Sequence, residues 1–191
     1  MKNRIIEAFG ADRLEHWENI THSQIHVIDR TRETGGVEGI TIYNAPPQQI
    51  DTLLIENPNL NITATFFKPQ CFQDEHGGES DNCEGVFYLS NSTNETWVLF
   101  LEIKDCDAEN ITRYFAKSKE QIKNVVRIFR ERNIIAEDKR VYANISFPRR
   151  NKTDFFSQLI RHGEKKSFLD HHNIFIRGTN NLAIKNDTTI F

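Results

Sequence analysis

The sequence predicts a single α/β domain over residues 1–191, built around a mixed β-sheet. Three segments of helical periodicity lie between extended runs. Some of these runs alternate apolar and polar residues, and others are wholly apolar. At 191 residues with 38% hydrophobic residues, the chain is long enough to bury one core, and no repeat or linker divides it. We expect the core of the sheet at about residues 60–148. An N-terminal region of helix and strand at 1–59 and a C-terminal appendage of helix and hairpin at 149–191 complete the domain.

The N-terminal region predicts one helix followed by short extended segments. Apolar residues recur at three- to four-residue spacing over residues 2–20, which predicts a helix that Gly10 could interrupt. Residues 22–33 are ambiguous between helix and strand. Residues 39–43 predict a short strand, and residues 48–56 predict either a helical turn or a strand.

The middle of the chain carries the clearest extended patterns. Residues 60–68 alternate apolar and polar side chains, which predicts a strand. Residues 70–82 are polar and acidic, and they predict a loop. Over residues 83–104, two β-prone runs flank a turn rich in Asn, Ser and Thr, which is typical of a β-hairpin.

The second half predicts two helices and further strands. An apolar stripe at helical spacing runs from Asn110, a candidate cap, to about Asn133. Residues 140–147 alternate and predict a strand. Residues 153–169 predict the second helix, and residues 174–184 predict a hairpin.

Charge is distributed unevenly along the chain, although the net charge is only −3. Residues 1–112 hold 7 Lys and Arg against 19 Asp and Glu, whereas residues 113–166 hold 15 against 6. A basic segment that follows an acidic one is typical of a protein that holds a polyanion such as nucleic acid. A solvated helix face explains the same residues equally well.

The composition predicts a cytoplasmic protein with no membrane partner. No run is apolar enough for a membrane span, and the first residues lack the apolar centre of a signal peptide. The three cysteines form no C-x-x-C pair, so reduced thiols are expected. Eight N-x-S/T triplets are attributed to an Asn- and Thr-rich composition rather than to glycosylation.

Three charged residues mark the hairpin as a candidate site. Glu84 precedes its first strand, and Glu102 and Lys104 end its second strand on one face, with Ile103 on the other. The run WVLFL before Glu102 is apolar on both faces, which predicts a central buried strand. Charges at the end of such a strand indicate a site, because burying them is costly. The alternatives are a same-face ion pair on an exposed strand and a surface position for Glu84.

The chain resembles the PD-(D/E)XK nuclease superfamily in four segments that follow one another in this order: CEGVFYL, WVLFLEIKD, KSKEQIKNVV and RVYANISF. The resemblance covers about a third of the chain, and it implies the restriction-endonuclease-like fold, a mixed sheet flanked by helices. One residue departs from the family pattern. The first metal ligand is usually Asp, whereas Glu84 holds that position here, with Asp81 as the alternative.

The residues themselves suit phosphodiester hydrolysis. Mg²⁺, or Mn²⁺ in its place, prefers oxygen ligands, which Glu84, Glu102 and the main-chain carbonyl of Ile103 supply. Lys104 would orient or help to deprotonate the attacking water and balance phosphate charge. Gln121 matches the helical Gln of the resemblance and would position Lys104 or the water; an ordinary surface Gln is the alternative. The residues expected to contact nucleic acid are Lys117, Lys123, Arg149 and Arg150.

The function expected from these patterns is a metal-dependent nuclease acting on DNA, with RNA as the other substrate. The resemblance implies a homodimer as one oligomeric state, since many enzymes of this fold act as dimers. The first rival is a catalytically inactive module of the same fold that binds nucleic acid or a protein. The second is an interaction or inhibitor protein whose acidic residues 1–112 face a basic partner.

Overall fold

The computed structural model describes residues 1–31, 34–35, 39–48, 50–68, 71–72, 83–91, 96–150 and 160–190, apart from the side chains of Ala108 and Arg150. Within these ranges the fold is mixed α/β, with three α-helices and two mixed sheets, so the predicted class is confirmed. The helices are α1 (Lys2–Phe9), α2 (Ile111–Glu131) and α3 (His162–His172).

The described strands are numbered in chain order. They are β1 (Leu14–Ile20), β2 (Gln24–Asp29), β3 (Ile40–Tyr43), β4 (Leu53–Glu56), β5 (Ile62–Phe67), β6 (Gly85–Leu89), β7 (Val98–Ile103), β8 (Val141–Ser146), β9 (Ile174–Gly178) and β10 (Asn181–Ala183). Six of them form the larger sheet in the order β1-β5-β6-β7-β8-β9, and four form the smaller sheet in the order β10-β4-β2-β3.

The larger sheet is antiparallel on one side and parallel on the other. Strands β1, β5, β6 and β7 pair antiparallel, so the predicted hairpin of β6 and β7 is confirmed. Strands β7, β8 and β9 pair parallel. The connection from β7 to β8 contains α2, as parallel neighbours require a crossover. Strand β7 therefore lies inside the sheet, with a partner on each side.

Helices cover one face of the larger sheet, and the smaller sheet covers the other. On β7, Phe100 faces the helices, with its ring 5.1 Å from that of Phe129 on α2. Leu99 and Leu101, on the alternate face, pack with buried residues of the smaller sheet. Three N-terminal strands and β10 therefore form a second sheet on the face that the helices leave open.

The predicted N-terminal helix ends much earlier than expected. Helix α1 stops at Phe9, because Gly10 follows with φ +85°, a backbone angle that ends the helix. Residues 14–20 instead form β1, which pairs antiparallel with β5. Only Leu14 and Ile20 of β1 are buried, so its sequence lacks the alternation that would have distinguished it from a helix.

The predicted C-terminal hairpin is also wrong, because its two strands belong to different sheets. Strand β9 pairs parallel with β8, whereas β10 pairs parallel with β4. Asn180, between them, fixes this switch. Its buried side chain accepts hydrogen bonds from Ser146 Oγ (2.7 Å) and Phe147 N (3.0 Å), and donates one to the Phe147 carbonyl (3.0 Å). The predicted helix over 153–169 is observed as α3 from residue 162, and residues 153–159 lie outside the described part.

Candidate active site

Neighbouring strands bring the two predicted carboxylates together. Gly85 of β6 lies opposite Leu101 of β7, so Glu84 and Glu102 follow as the next pair beyond the ladder. The main-chain N–H of Glu84 donates a hydrogen bond to Glu102 Oε2 at 3.2 Å. Glu102 is completely buried, on the sheet face that the helices cover, in alternation with Phe100.

Lys104 joins both carboxylates. Its Nζ lies 2.5 Å from Glu84 Oε1 and 3.0 Å from Glu102 Oε1. The main-chain N–H of Lys104 donates a hydrogen bond to the Ser146 carbonyl at 3.0 Å, and this bond fixes the backbone just after the end of β7. The side chains of Lys104 and Glu84 are 22% and 27% exposed. The structure therefore brings the three predicted groups into one cluster that solvent reaches from the side of Glu84 and Lys104.

Burial sets the protonation of this cluster. It raises the pKa of Glu102 to about 8; the ammonium of Lys104 opposes this shift and the negative charge of Glu84 adds to it. Burial alone would lower the pKa of Lys104, but Glu102 and Glu84 outweigh it and raise that pKa well above its ordinary value. Lys104 is thus a permanent cation at neutral pH, whereas Glu102 changes charge near neutrality.

Glu15 is a third carboxylate near the cluster, and it is not among the predicted site residues. Partial burial raises the pKa of this mostly exposed residue, His16 opposes the shift, and Glu84 raises the pKa further. Its Oε1 lies only 2.6 Å from the position that a Cβ on Gly39 would take. No sequence pattern marked Glu15, because residues 2–20 predicted a helix and the pairing of β1 with β5 is not visible locally.

Gln121 lies in the helical layer over the same face of the sheet. It is 6% exposed, on the side of α2 whose buried residues pack against β7 and β8. The alternative of an ordinary surface Gln is therefore wrong. The side chain of Ile103 is fully buried on the opposite face, among residues that contact the smaller sheet.

Two of the basic residues predicted to contact nucleic acid form ion pairs with acidic side chains of the same chain. Arg149 makes a two-pronged contact with Asp105, with Nε 2.5 Å and a terminal nitrogen 2.6 Å from the two carboxylate oxygens. Lys123 lies 2.6 Å from Glu120 Oε1, while Lys117 is exposed on α2. Two other predicted positions, Asp81 and the side chain of Arg150, lie outside the described part of the chain.

Protein-family models, curated proteins and solved structures include no match to this chain. Among the described helices, none has the length and apolar character needed to cross a membrane. What the chain does is therefore inferred from the chemistry of its own side chains.

The carboxylate oxygens of the cluster suit a hard divalent cation that takes few protein ligands. In the part of the chain that the structure describes, no three His, Cys, Asp or Glu side chains are grouped to hold a metal ion. Mg²⁺ is commonly held by one or two carboxylates and keeps several waters, which is what Glu84 and Glu102 can provide. Because the Lys104 ammonium already lies against both carboxylates, a metal ion would share or take over its contacts.

Proposed function

We propose that this protein is a metal-dependent phosphodiesterase, a nuclease of the PD-(D/E)XK type that acts on DNA, with RNA as the other substrate. The observation that supports this proposal is the contact of Lys104 Nζ with both Glu84 and Glu102 within 3.0 Å at the end of a buried strand. Two acids and one amine on adjacent strands are the groups that the proposed hydrolysis requires.

The burial of Glu102 argues for a functional role. A carboxyl group without contact with water is destabilising unless it is paired, and an apolar side chain would fill the same position at lower cost. Perturbed carboxyl groups beside a charged partner are enriched at functional sites.

Each residue has a role in the proposed reaction. Glu84 and Glu102 would hold Mg²⁺ or Mn²⁺, with the Ile103 carbonyl as a further proposed ligand and Asp81 as the alternative to Glu84. The ion would activate a water and neutralise charge on the phosphate. Lys104 is held as a cation by both carboxylates, so it would orient the water and stabilise the charge that develops on the phosphate oxygens. Gln121, buried in the layer above, would position Lys104 or the water.

A second candidate function is an inactive module of the same fold that binds nucleic acid or a protein partner. One observation favours it: the ammonium and the carboxylates satisfy one another, as they would in a structural ion pair. Only the nuclease would cleave the nucleic acid that it binds, so a cleavage assay distinguishes the two candidates.

The test is cleavage of plasmid and single-stranded oligonucleotides in Mg²⁺, in Mn²⁺ and in EDTA. We expect cleavage in either metal by the wild-type chain and loss of cleavage in Glu102→Ala and Lys104→Ala. Glu131→Gln is the matched control, because Glu131 also pairs with a cation, Arg127, but is 55% exposed on α2. Cleavage that persists in Glu102→Ala contradicts a nuclease site at Glu102, and binding without cleavage by the wild type favours the inactive module.

A further inference from the structure

We propose that the aromatic platform, formed by Tyr142 and Phe175 with Arg140 and Arg177 beside them, binds single-stranded nucleic acid. This proposal deepens the proposed nuclease by naming a single-stranded substrate, and it rests on that function for its use. The binding itself is measurable without metal and without cleavage.

Adjacent parallel strands place the two rings side by side. Tyr142 of β8 lies opposite Phe175 of β9, and their rings are nearly parallel, at 17°, with centroids 5.8 Å apart. Phe175 is 38% exposed, and it is one of two large hydrophobic residues that are exposed in the described part of the chain. An aromatic side chain held at a sheet edge in this way offers a flat apolar surface to a ligand.

Two arginines give the platform a positive charge. The Arg140 guanidinium carbon lies 5.3 Å from the centre of the Phe175 ring. Arg177 follows Phe175 by two residues, on the same face of β9, and is exposed. Neither β8 nor β9 contains an acidic residue. Aromatic surface combined with guanidinium groups is the chemistry that binds bases by stacking and phosphates by charge.

Trp17, the second exposed aromatic residue, differs from Phe175 in the charge of its surroundings. Trp17, 40% exposed on β1 at the far edge of the same sheet, also has a cation over its ring, with Lys2 Nζ 4.0 Å from the centroid. Its strand carries Glu15 and Glu18, which repel phosphate. Trp17 therefore shares the exposure and the cation contact of Phe175 but not its basic surroundings.

Single strands fit the platform better than duplexes, because the bases of a duplex are already stacked and paired. The platform lies on the sheet face opposite Glu102, since Tyr142 packs with the cluster that includes Leu99 and Leu101. Tyr142 is also four residues before the end of β8, which is about 13 Å along the strand. A single strand that reaches both would therefore pass around the end of the sheet, and the platform would hold nucleotides at a distance from the scissile phosphate.

The test is fluorescence anisotropy with a labelled 20-nucleotide oligo-dT in EDTA, repeated with oligo-rU to distinguish DNA from RNA. We expect wild-type binding that is tighter than binding of a duplex of equal length. We expect Phe175→Ala and Tyr142→Ala to raise the Kd about tenfold, in line with the loss of base stacking. Phe175→Tyr, which keeps the ring, retains binding, and Trp17→Ala, the matched control, binds like the wild type.

Three results overturn the platform: no binding of either oligonucleotide by the wild type, an unchanged Kd in Phe175→Ala, or an equal loss in Trp17→Ala. The thermal midpoint of each variant shows that the fold is kept, and Phe175→Tyr separates loss of the ring from loss of structure. Failure of the nuclease is distinguishable, since a chain that binds oligo-dT through Phe175 but never cleaves it keeps the platform and loses the enzyme.

Discussion

The ammonium of Lys104 bridges Glu84 and Glu102, at 2.5 Å from the first carboxylate and 3.0 Å from the second. The three residues belong to the ends of two adjacent strands, and one of them, Glu102, has no exposed surface. A buried acid with one cation and one neighbouring acid is poised between its neutral and ionised forms near neutral pH. The titration of Glu102 can therefore be measured apart from any enzymatic activity.

Stability should fall as the pH rises through the titration of Glu102. Its pKa is raised from an ordinary value of 4.5 to about 8 by burial, so the folded chain holds a proton that the unfolded chain has released. The contribution is fully present below about pH 4.5 and is lost as the pH rises to about 8. We expect the free energy of unfolding, measured in urea, to decline from pH 5 to pH 8.5 in the wild type.

Replacing Glu102 by Gln should remove this decline, because the amide does not titrate. Glu131→Gln, which removes an exposed carboxylate, should keep the wild-type slope. Parallel pH profiles for Glu102→Gln and the wild type would show that Glu102 has an ordinary pKa and that its burial has no electrostatic consequence.

Mg²⁺ binding should release protons below pH 8, because Glu102 must ionise to become a ligand. The measurement is titration calorimetry at pH 6.5 in two buffers with different ionisation enthalpies. We expect a buffer-dependent enthalpy corresponding to about one proton per ion, and an affinity that rises roughly tenfold from pH 6.5 to pH 7.5. An enthalpy that is independent of the buffer, or an equal affinity in Glu102→Gln, would contradict the assignment of Glu102 as a ligand.

The switch of the chain between sheets should depend on Asn180. Its buried amide makes three hydrogen bonds to Ser146 and Phe147, so Asn180→Ala leaves several buried polar groups without partners. We expect a loss of about 2–4 kcal/mol in the free energy of unfolding. Asn181→Ala, at the exposed neighbouring position, serves as the control and should cost much less. Equal losses in the two variants would show that Asn180 does not anchor the crossover.

The sequence alone predicted those helices and strands in which the spacing of the apolar residues matches the faces that are buried. Helix α2 has an apolar stripe because one side packs on the sheet, and β7 is apolar from Val98 to Leu101 because both of its faces are covered. The predicted cluster followed from β7, since the alternation of side chains along a strand fixes the faces of Glu102 and Lys104. The pairing that adds Glu84 followed from the polar segment between two strongly β-prone runs, which predicted a hairpin.

The missed features depend on contacts between residues distant in sequence. Strand β1 is half exposed, and only its pairing with β5 distinguishes it from a continuation of α1. Strands β9 and β10 look like a hairpin locally, and the buried Asn180 separates them by binding to the end of β8. Glu15 approaches Glu84 through the same β1 pairing, so no local pattern could have included it in the site.

The proposed site is best tested by the cleavage rate of one oligonucleotide by the wild type, Glu102→Gln and Glu131→Gln, each in Mg²⁺ and in EDTA. We expect cleavage by the wild type and Glu131→Gln only in Mg²⁺, and a rate roughly a hundredfold lower in Glu102→Gln because the buried carboxylate ligand is lost. Equal rates in Glu102→Gln and the wild type, or no metal-dependent cleavage by the wild type, would contradict a phosphodiesterase site at Glu84, Glu102 and Lys104.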